Sequence, residues 1–319
     1  MKSTTVRRTA LSVAAVAALT SVAACGSSSG PGKGDKAAAN GGTIHVSPIA
    51  AVLRTTEQST DKAESAKVRS STTLGTVMSL SATGEVSWAG GLKGDLTLTY
   101  TGGRLGEAMR KAGTPSSEAR YLPDAVYGRV GGKFAEQTGK HWIRYSYADL
   151  TKITGGATPN LQDQARTTTP YQSVQMLLAS HDVKKVGRED VSGVRVTHYS
   201  GTIDVADFAR RNGNLSASRL AELKRQLDKT GITTETVDIW INDQNLLVKK
   251  TEKADTAYGA MTNTTYFSDY GVKVSPEAPP ASDTKDFKDL MKSLGVPGSG
   301  RTSSGSGTSV PGAGSGISS

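Results

Sequence analysis

Cys25 is the only cysteine of this 319-residue chain, and it closes the run Val22-Ala23-Ala24-Cys25. Small residues ahead of a cysteine at the end of an export leader form a lipobox. The thiol is alkylated by a diacylglyceryl group, and a signal peptidase then cuts between Ala24 and Cys25. Two acyl chains, at roughly 0.8 kcal/mol per buried methylene, exceed the single-chain limit at which membrane binding stays reversible. The alternative is an ordinary secretory leader with a cysteine beside its cleavage site by chance. With Cys25 consumed by lipid, no thiol is left for a disulfide, a thiolate metal site or a cysteine nucleophile.

Other residues of catalytic type fall in the wrong surroundings. Gly26-Ser27-Ser28-Ser29-Gly30 matches the Gly-x-Ser-x-Gly pattern, but a nucleophile elbow needs a strand before it and a helix after it, and here it follows the leader. His45, His141, His181 and His198 are far apart, and none has metal-ligand spacing. Two of them fall in expected strands and one on the apolar side of an expected helix, where hydrogen-bonded structural roles are the commoner outcome. Asp204 with Asp207, and Glu189 with Asp190, read as solvated loop charges. No glycine-rich phosphate loop precedes a helix. The expectation is a chain without catalytic residues, metal or cofactor.

The segments around these residues divide the chain. Lys2, Arg7 and Arg8 followed by the apolar run Leu11 to Leu19 form a leader over residues 1–24. That run ends at Thr20 and Ser21, well short of the roughly 20 apolar residues that span a bilayer. Residues 25–42 are rich in Gly, Ser, Ala, Lys and Asp and read as a flexible tether; residues 291–319 read as a disordered Gly/Ser tail. Between them, residues 43–290 have the length of one domain. A pair of smaller domains would also fit, but no comparable linker interrupts the interior. The formal charge is +9, three units of which leave with the leader. This sign suits an anionic membrane surface. Acids are scattered among the bases, with no basic cluster or aromatic-basic stripe, so nucleic acid is not an expected partner.

The dominant period of the interior is two. From Val68, the even positions run Val68, Ser70, Thr72, Leu74, Thr76, Met78 and Leu80, against Arg69, Ser71, Thr73 and Gly75 on the odd side. Val86 and Trp88, then Leu92, Leu96, Leu98 and Tyr100, continue the pattern. Such alternation marks half-buried antiparallel strands. Further strands are expected at Ala125–Val130, Trp142–Tyr147, Val194–Ser200, Thr233–Ile241, Leu246–Glu252 and Met261–Phe267, with Asn242-Asp243-Gln244-Asn245 as a hairpin turn. Thr169-Pro170 opens a helix carrying Val174, Leu177, Leu178 and His181. Others are expected at Ser216–Lys229, with Leu220, Leu223 and Leu227 on one face, and at Ile49–Lys67. Gly102 to Leu122 reads as a long mobile loop. The fold class is α+β, a large antiparallel sheet with helices on one face.

Several local patterns stand in an order that resembles a known family. They are Ser65-Ala66-Lys67-Val68 after a helix, Gly139-Lys140-His141-Trp142-Ile143-Arg144, and Val186-Gly187-Arg188-Glu189-Asp190-Val191-Ser192-Gly193-Val194 leading to Thr197-His198-Tyr199. Val237-Asp238-Ile239-Trp240-Ile241-Asn242-Asp243, Phe267-Ser268-Asp269-Tyr270-Gly271 and Pro279-Pro280 complete the set. Over Ile49 to Asp286 the chain resembles the LppX/LprG-type mycobacterial lipoproteins, within the wider LolA-like group of lipoprotein and lipid carriers. The segment Leu215–Lys229 reads as an insertion relative to them. The resemblance implies a curved antiparallel half-barrel, helices over its concave side, an apolar cavity for acyl chains and no catalysis. It fixes no ligand residues, because the family shares a shape and not a ligand triad.

From the alternation itself, Leu74, Met78, Leu80, Val86, Trp88, Leu96, Leu98 and Tyr100 are the residues expected to line such a cavity; each could instead pack against the helices. The abundance of Thr, Ser and Gly in the strands and an aromatic content of 5% favour a roomy or polar interior. Two functions fit. One is a lipid-anchored carrier or chaperone on the extracytoplasmic face of the cell membrane, binding an acylated ligand. The other is a non-carrier envelope lipoprotein acting as an accessory or regulatory partner of a membrane complex. A monomer is expected.

Overall fold

Among the described residues, twelve strands join into one open sheet. The computed structural model describes residues 47–153, 169–204 and 231–293. The leader, Cys25, the tether, His45, the helix expected at Ser216–Lys229 and the tail beyond Ser293 lie outside the described residues.

In chain order the strands are β1 (Ser65–Leu74), β2 (Met78–Ser87), β3 (Lys93–Gly102), β4 (Ser116–Tyr121), β5 (Ala125–Arg129) and β6 (Trp142–Ser146). They continue with β7 (Lys184–Val191), β8 (Val194–Asp204), β9 (Thr234–Asn242), β10 (Leu247–Thr256), β11 (Gly259–Ser268) and β12 (Thr284–Asp286). Across the sheet the order is β12-β6-β5-β4-β3-β2-β1-β11-β10-β9-β8-β7. Every neighbouring pair is antiparallel except β12 with β6. The first and last strands of that order do not pair, so the half-barrel stays unclosed.

The helices of the described residues are α1 (Pro48–Ala63), α2 (Gly103–Lys111), α3 (Gly132–Thr138), α4 (Tyr147–Ile153), α5 (Gln172–Ala179) and α6 (Phe287–Ser293). Among the described residues, no helix is long and apolar enough to cross a membrane. Pro48 starts α1, where its missing N–H costs nothing. The helix stops at Ala63 and not at Lys67, because Glu64 turns left-handed at φ 61°. Ser65 to Lys67 instead pair with Ser87 to Glu85 of β2. Three bonds fasten the end of α1 to the end of β2. The Trp88 backbone N–H and the Ser87 hydroxyl both donate to the Glu64 carbonyl at 2.9 Å, and Trp88 Nε1 donates to the Asp61 carbonyl at 3.1 Å.

The main core lies between α1, α5 and one face of the sheet, called the inner face here. Leu53 of α1, Val174 and Leu177 of α5, and Val237, Ile239 and Leu247 beneath them are 0% exposed. Each such side chain contributes about 1.5–3 kcal/mol on leaving water. The α5 helix is shorter than its apolar spacing suggests. Ser180 is already extended, so His181 falls beyond the helix on the surface and not on its apolar face.

The segment Gly102 to Leu122 is not a loop: it holds α2 and β4. Gly103 makes the sharp entry at φ +73°, with an added Cβ meeting the Met78 backbone N at 2.6 Å. Ser116 to Tyr121 then pair with β3. Strand β7 also escapes the alternation rule, since its residues are almost all exposed. The expected hairpin is present between β9 and β10, with the Asn242 carboxamide accepting from the Gln244 and Leu246 N–H groups and Asn245 at φ 57°.

Candidate ligand-binding face

Cross-strand partners in an antiparallel sheet point to the same side, so the registers map the inner face row by row. One row runs Tyr100, Leu80, Thr72, Asn263, Glu252 and Val237 from β3 to β9. The next runs Ser117, Leu98, Ala82, Ser70, Thr265, Lys250 and Ile239 from β4 to β9. A third joins Ala119, Leu96, Gly84, Val68 and Phe267. The inner face therefore has three zones. Toward β9 it is apolar and roofed by α1 and α5; along β1, β11 and β10 it is polar; from β2 to β6 it is apolar again.

The third zone differs from the first in its burial. Leu80, Leu96, Leu98, Tyr100, Tyr121, Val126 and Tyr145 are each only half-buried, and none joins a core cluster among the described residues. At its far edge, the Tyr145 ring meets Phe287 of α6 at 5.0 Å. Burial raises the pKa values of Tyr100, Tyr121 and Tyr145, and the Tyr100 phenol adds to the rise at the other two. The three phenols are thus neighbours on a low-dielectric wall and stay neutral.

The eight residues named from the alternation separate into three groups. Leu80, Leu96, Leu98 and Tyr100 stand on the half-buried wall. Leu74 and Met78 face each other beside the β1–β2 turn and are 9% and 5% exposed. Trp88 belongs to the core beneath α1, with Val86 packed against it.

The polar zone was not legible as a site. Glu252 is 2% exposed and is held by Lys250 Nζ at 2.7 Å, the Ser173 hydroxyl at 2.7 Å and Asn263 Nδ2 at 3.0 Å. Burial alone would raise its pKa; the Lys250 charge and these three donors outweigh it and hold the carboxyl below its ordinary value. Glu235, 7% exposed, has no such side-chain hydrogen-bond partner among the described residues. Burial first, and the Glu252 charge second, push it up to about 8. One carboxyl is therefore ionised and its neighbour protonated at neutral pH. The available signal was Lys250 and Glu252 falling on the apolar parity of a strand.

The other candidate groups are dispersed. His141 Nδ1 lies 2.8 Å from Asp283 on the surface. His198 stacks on Trp240 at 4.3 Å on the outer face, with Nε2 2.9 Å from Asp238. Glu189 is exposed, as expected of a solvated charge, but it lies on β7 and not in a loop; it accepts from Trp240 Nε1 and comes within 3.6 Å of His198. Asp190 accepts from the Gly193 N–H at 2.8 Å in the following turn. Among the described residues no three His, Cys, Asp or Glu side chains gather as a metal site. A groove on the outer face, lined by Asp95, Glu118 and Arg120 with Ser275 and Glu277, is polar.

No family model matches the sequence. The solved structures similar to it include Mycobacterium tuberculosis lipoprotein LppX, at 16% identity and TM-score 0.44 over 72% of this chain and 98% of that one. Mycobacterium bovis LprF is similar at 16% identity and TM-score 0.45, over 73% and 97%. An uncharacterized 31.2 kDa protein from the rplA-rplJ intergenic region of Streptomyces griseus is 50% identical over 252 residues, 78% of this chain and 82% of its own. A candidate lipoprotein of Streptomyces coelicolor is 44% identical over 313 residues, 92% of this chain and 100% of its own. With that identity along its whole length, the chain belongs to the family of the Streptomyces coelicolor candidate lipoprotein.

Proposed function

We propose that the protein is a lipid-anchored lipoprotein on the extracytoplasmic face of the cell membrane, and that it carries or chaperones a lipid or glycolipid by sheltering its acyl chains. The observation that carries this reading is the half-buried wall of Leu80, Leu96, Leu98, Tyr100, Tyr121 and Tyr145. Apolar side chains on the helix side of a sheet normally disappear into a core, as Ile239 and Val237 do. Here they keep surface that an acyl chain would cover, at roughly 0.8 kcal/mol per buried methylene. The lipobox at Cys25 supports the anchor, and the name of the Streptomyces coelicolor relative agrees with it. Residues 43–290 form the binding unit in this reading, 1–24 the leader and 25–42 the tether; α6 carries the ordered chain on to Ser293, so the expected Gly/Ser-rich tail starts after it and not at residue 291. The work is binding alone and calls for no catalytic residue.

Native mass spectrometry of the chain without residues 1–25, followed by solvent extraction, tests the proposal. A stoichiometric lipid adduct is the expected result, and it would identify the ligand class. An empty protein that also refuses added phospholipid and glycolipid would overturn it in favour of an accessory role toward a membrane complex.

A further inference from the structure

The two ends of the sheet expose different chemistry. At one end the turns and strand ends carry Glu64, Asp124, Asp243 and Asp269, all exposed. At the other stands Tyr258, in the turn between β10 and β11. At 64% it is the most exposed large apolar side chain among the described residues.

That second end is a continuous rim. The Gly75 N–H donates to the Ala260 carbonyl at 2.9 Å, which sets the β1–β2 turn against the turn of Tyr258. The N–H groups of Arg104 and Leu105 donate to the Thr76 and Val77 carbonyls at 3.0 and 2.9 Å, which seats the start of α2 on the β1–β2 turn. Gly132 of α3 lies against the Ala112 carbonyl, which an added Cβ would approach to 2.7 Å. Gly106 of α2 is buried beside Tyr100, while Arg104, Glu107, Arg110 and Lys111 are exposed. With Lys133 and Glu136 of α3, the exposed charges of the two helices are four cations and two acids. None of the four cations is in an ion pair among the described residues. The half-buried wall begins directly behind α2, because Ser79 pairs with Gly102 and Leu80 with Tyr100.

In the proposed role Cys25 lies in the bilayer. As a coil, the chain from there to Pro48 reaches roughly 25 Å, less than the roughly 33 Å of a ten-residue strand such as β1. The fold is then held within its own length of the lipid. A tyrosine with unpaired Arg and Lys beside it suits the headgroup layer of an anionic leaflet, whereas the acidic end would be repelled.

We propose that the end formed by the β10–β11 turn, the β1–β2 turn and α2 docks on anionic lipid, with Tyr258 entering the headgroup layer and Arg104, Arg110 and Lys111 meeting lipid phosphates. The inference rests on the anchored-carrier reading given above. It adds the orientation in which an acyl chain passes from the bilayer onto Leu80 and Tyr100.

The test is co-sedimentation with vesicles of phosphatidylcholine alone, or of equal parts phosphatidylcholine and phosphatidylglycerol. The protein is the mature chain, residues 25–319, with Cys25→Ser so that no acyl anchor contributes. Work at about 0.1 M salt, where the Debye length is ~10 Å, screens charges far from the contact. The protein should bind the mixed vesicles and be released by molar salt. Arg104→Ser/Arg110→Ser/Lys111→Ser should weaken binding ~100-fold, at about fivefold per cation. Tyr258→Ser should give a smaller loss with the salt dependence unchanged. Lys62→Ser/Lys93→Ser/Lys273→Ser removes the same charge away from the rim and should bind as wild type does. Unchanged melting temperatures and unchanged uptake of a fluorescent fatty acid from solution verify the fold of each variant. Absence of binding to the mixed vesicles, equal losses in the two triple variants, or no loss in the rim variant would each overturn the docking end. So would a rim variant that keeps its melting temperature but loses fatty-acid uptake, since its cations would then belong to the lipid site. Wild type that docks through the rim but takes up no fatty acid would uphold the docking end and remove the carrier reading instead.

Discussion

Lys250 and Glu252 stand two residues apart on the inner face of β10, 2.7 Å from nitrogen to oxygen, with side chains 12% and 3% exposed. Such a pair contributes little net stability, because desolvation offsets the attraction, but removing one partner leaves a buried charge uncompensated. Lys250→Met is therefore expected to cost about 3–5 kcal/mol in urea unfolding. The double variant Lys250→Met/Glu252→Leu should recover most of that loss. A double variant as unstable as the single would show that the pair is held for packing and not for charge.

Glu235 makes stability depend on pH in a defined direction. Its folded carboxyl, pushed up to about 8 from an ordinary 4.5, binds a proton more tightly than the unfolded chain does. That stabilisation is complete below pH 4.5 and is lost as pH rises through 8. Glu235→Gln keeps the shape and removes the titration. Its melting temperature should match wild type near pH 5 and exceed it near pH 8.5. Parallel profiles for the two proteins across this window would exclude the buried, protonated state.

The two apolar zones of the inner face should respond differently to mutation. Leu53 is 0% exposed within the main core, and Leu53→Ala should cost about 2–5 kcal/mol. Leu98 is half-buried on the wall. Leu98→Asp is expected to cost less than that and to abolish lipid uptake in a fluorescent fatty-acid displacement assay. Destabilisation by Leu98→Asp equal to that of Leu53→Ala would mean that the wall is core.

Much of the sheet was legible because its strands alternate. The even positions from Val68 through Tyr100 do share a face, and the turn at Asn242 to Asn245 follows from side chains that bond their own backbone. What escaped had no such period. Strand β4 contains Ser116, Ser117, Glu118 and Arg120 and is recruited by pairing to β3 and β5, while β7 is exposed along most of its length. Both are strands by virtue of their neighbours. The apolar half of the candidate face was visible as Leu80, Leu96, Leu98 and Tyr100. Its continuation through Tyr121 and Tyr145, and the polar stripe between the apolar zones, depend on strand order across the sheet, which alternation within one strand does not carry.

On the outer face, Trp240 is fixed from three sides. His198 stacks on it at 4.3 Å, Lys249 Nζ lies 3.9 Å from the ring centroid, and Nε1 donates to Glu189. With Val191, Val196 and Val248 it forms the second core cluster, which holds edge strand β7 to the sheet. Trp240→Phe keeps the aromatic contacts and removes the N–H, at an expected cost of about 1–3 kcal/mol. Hydrogen exchange should rise first along Lys184–Val191. Uniform exchange over the whole sheet would show that Trp240 supports the fold globally.

Cys25 separates anchorage from surface charge. In the proposed role the two acyl chains hold the protein to the membrane, and the net positive charge of the mature chain adds only a screened attraction to anionic lipid. Cys25→Ala should therefore leave the melting temperature unchanged and eliminate partition into the detergent phase of Triton X-114. Whatever stays with the membranes should wash off in molar salt, where exposed charges no longer reach each other. Retention of Cys25→Ala through that wash would place the anchor elsewhere and return the cysteine to a chance position beside an ordinary cleavage site.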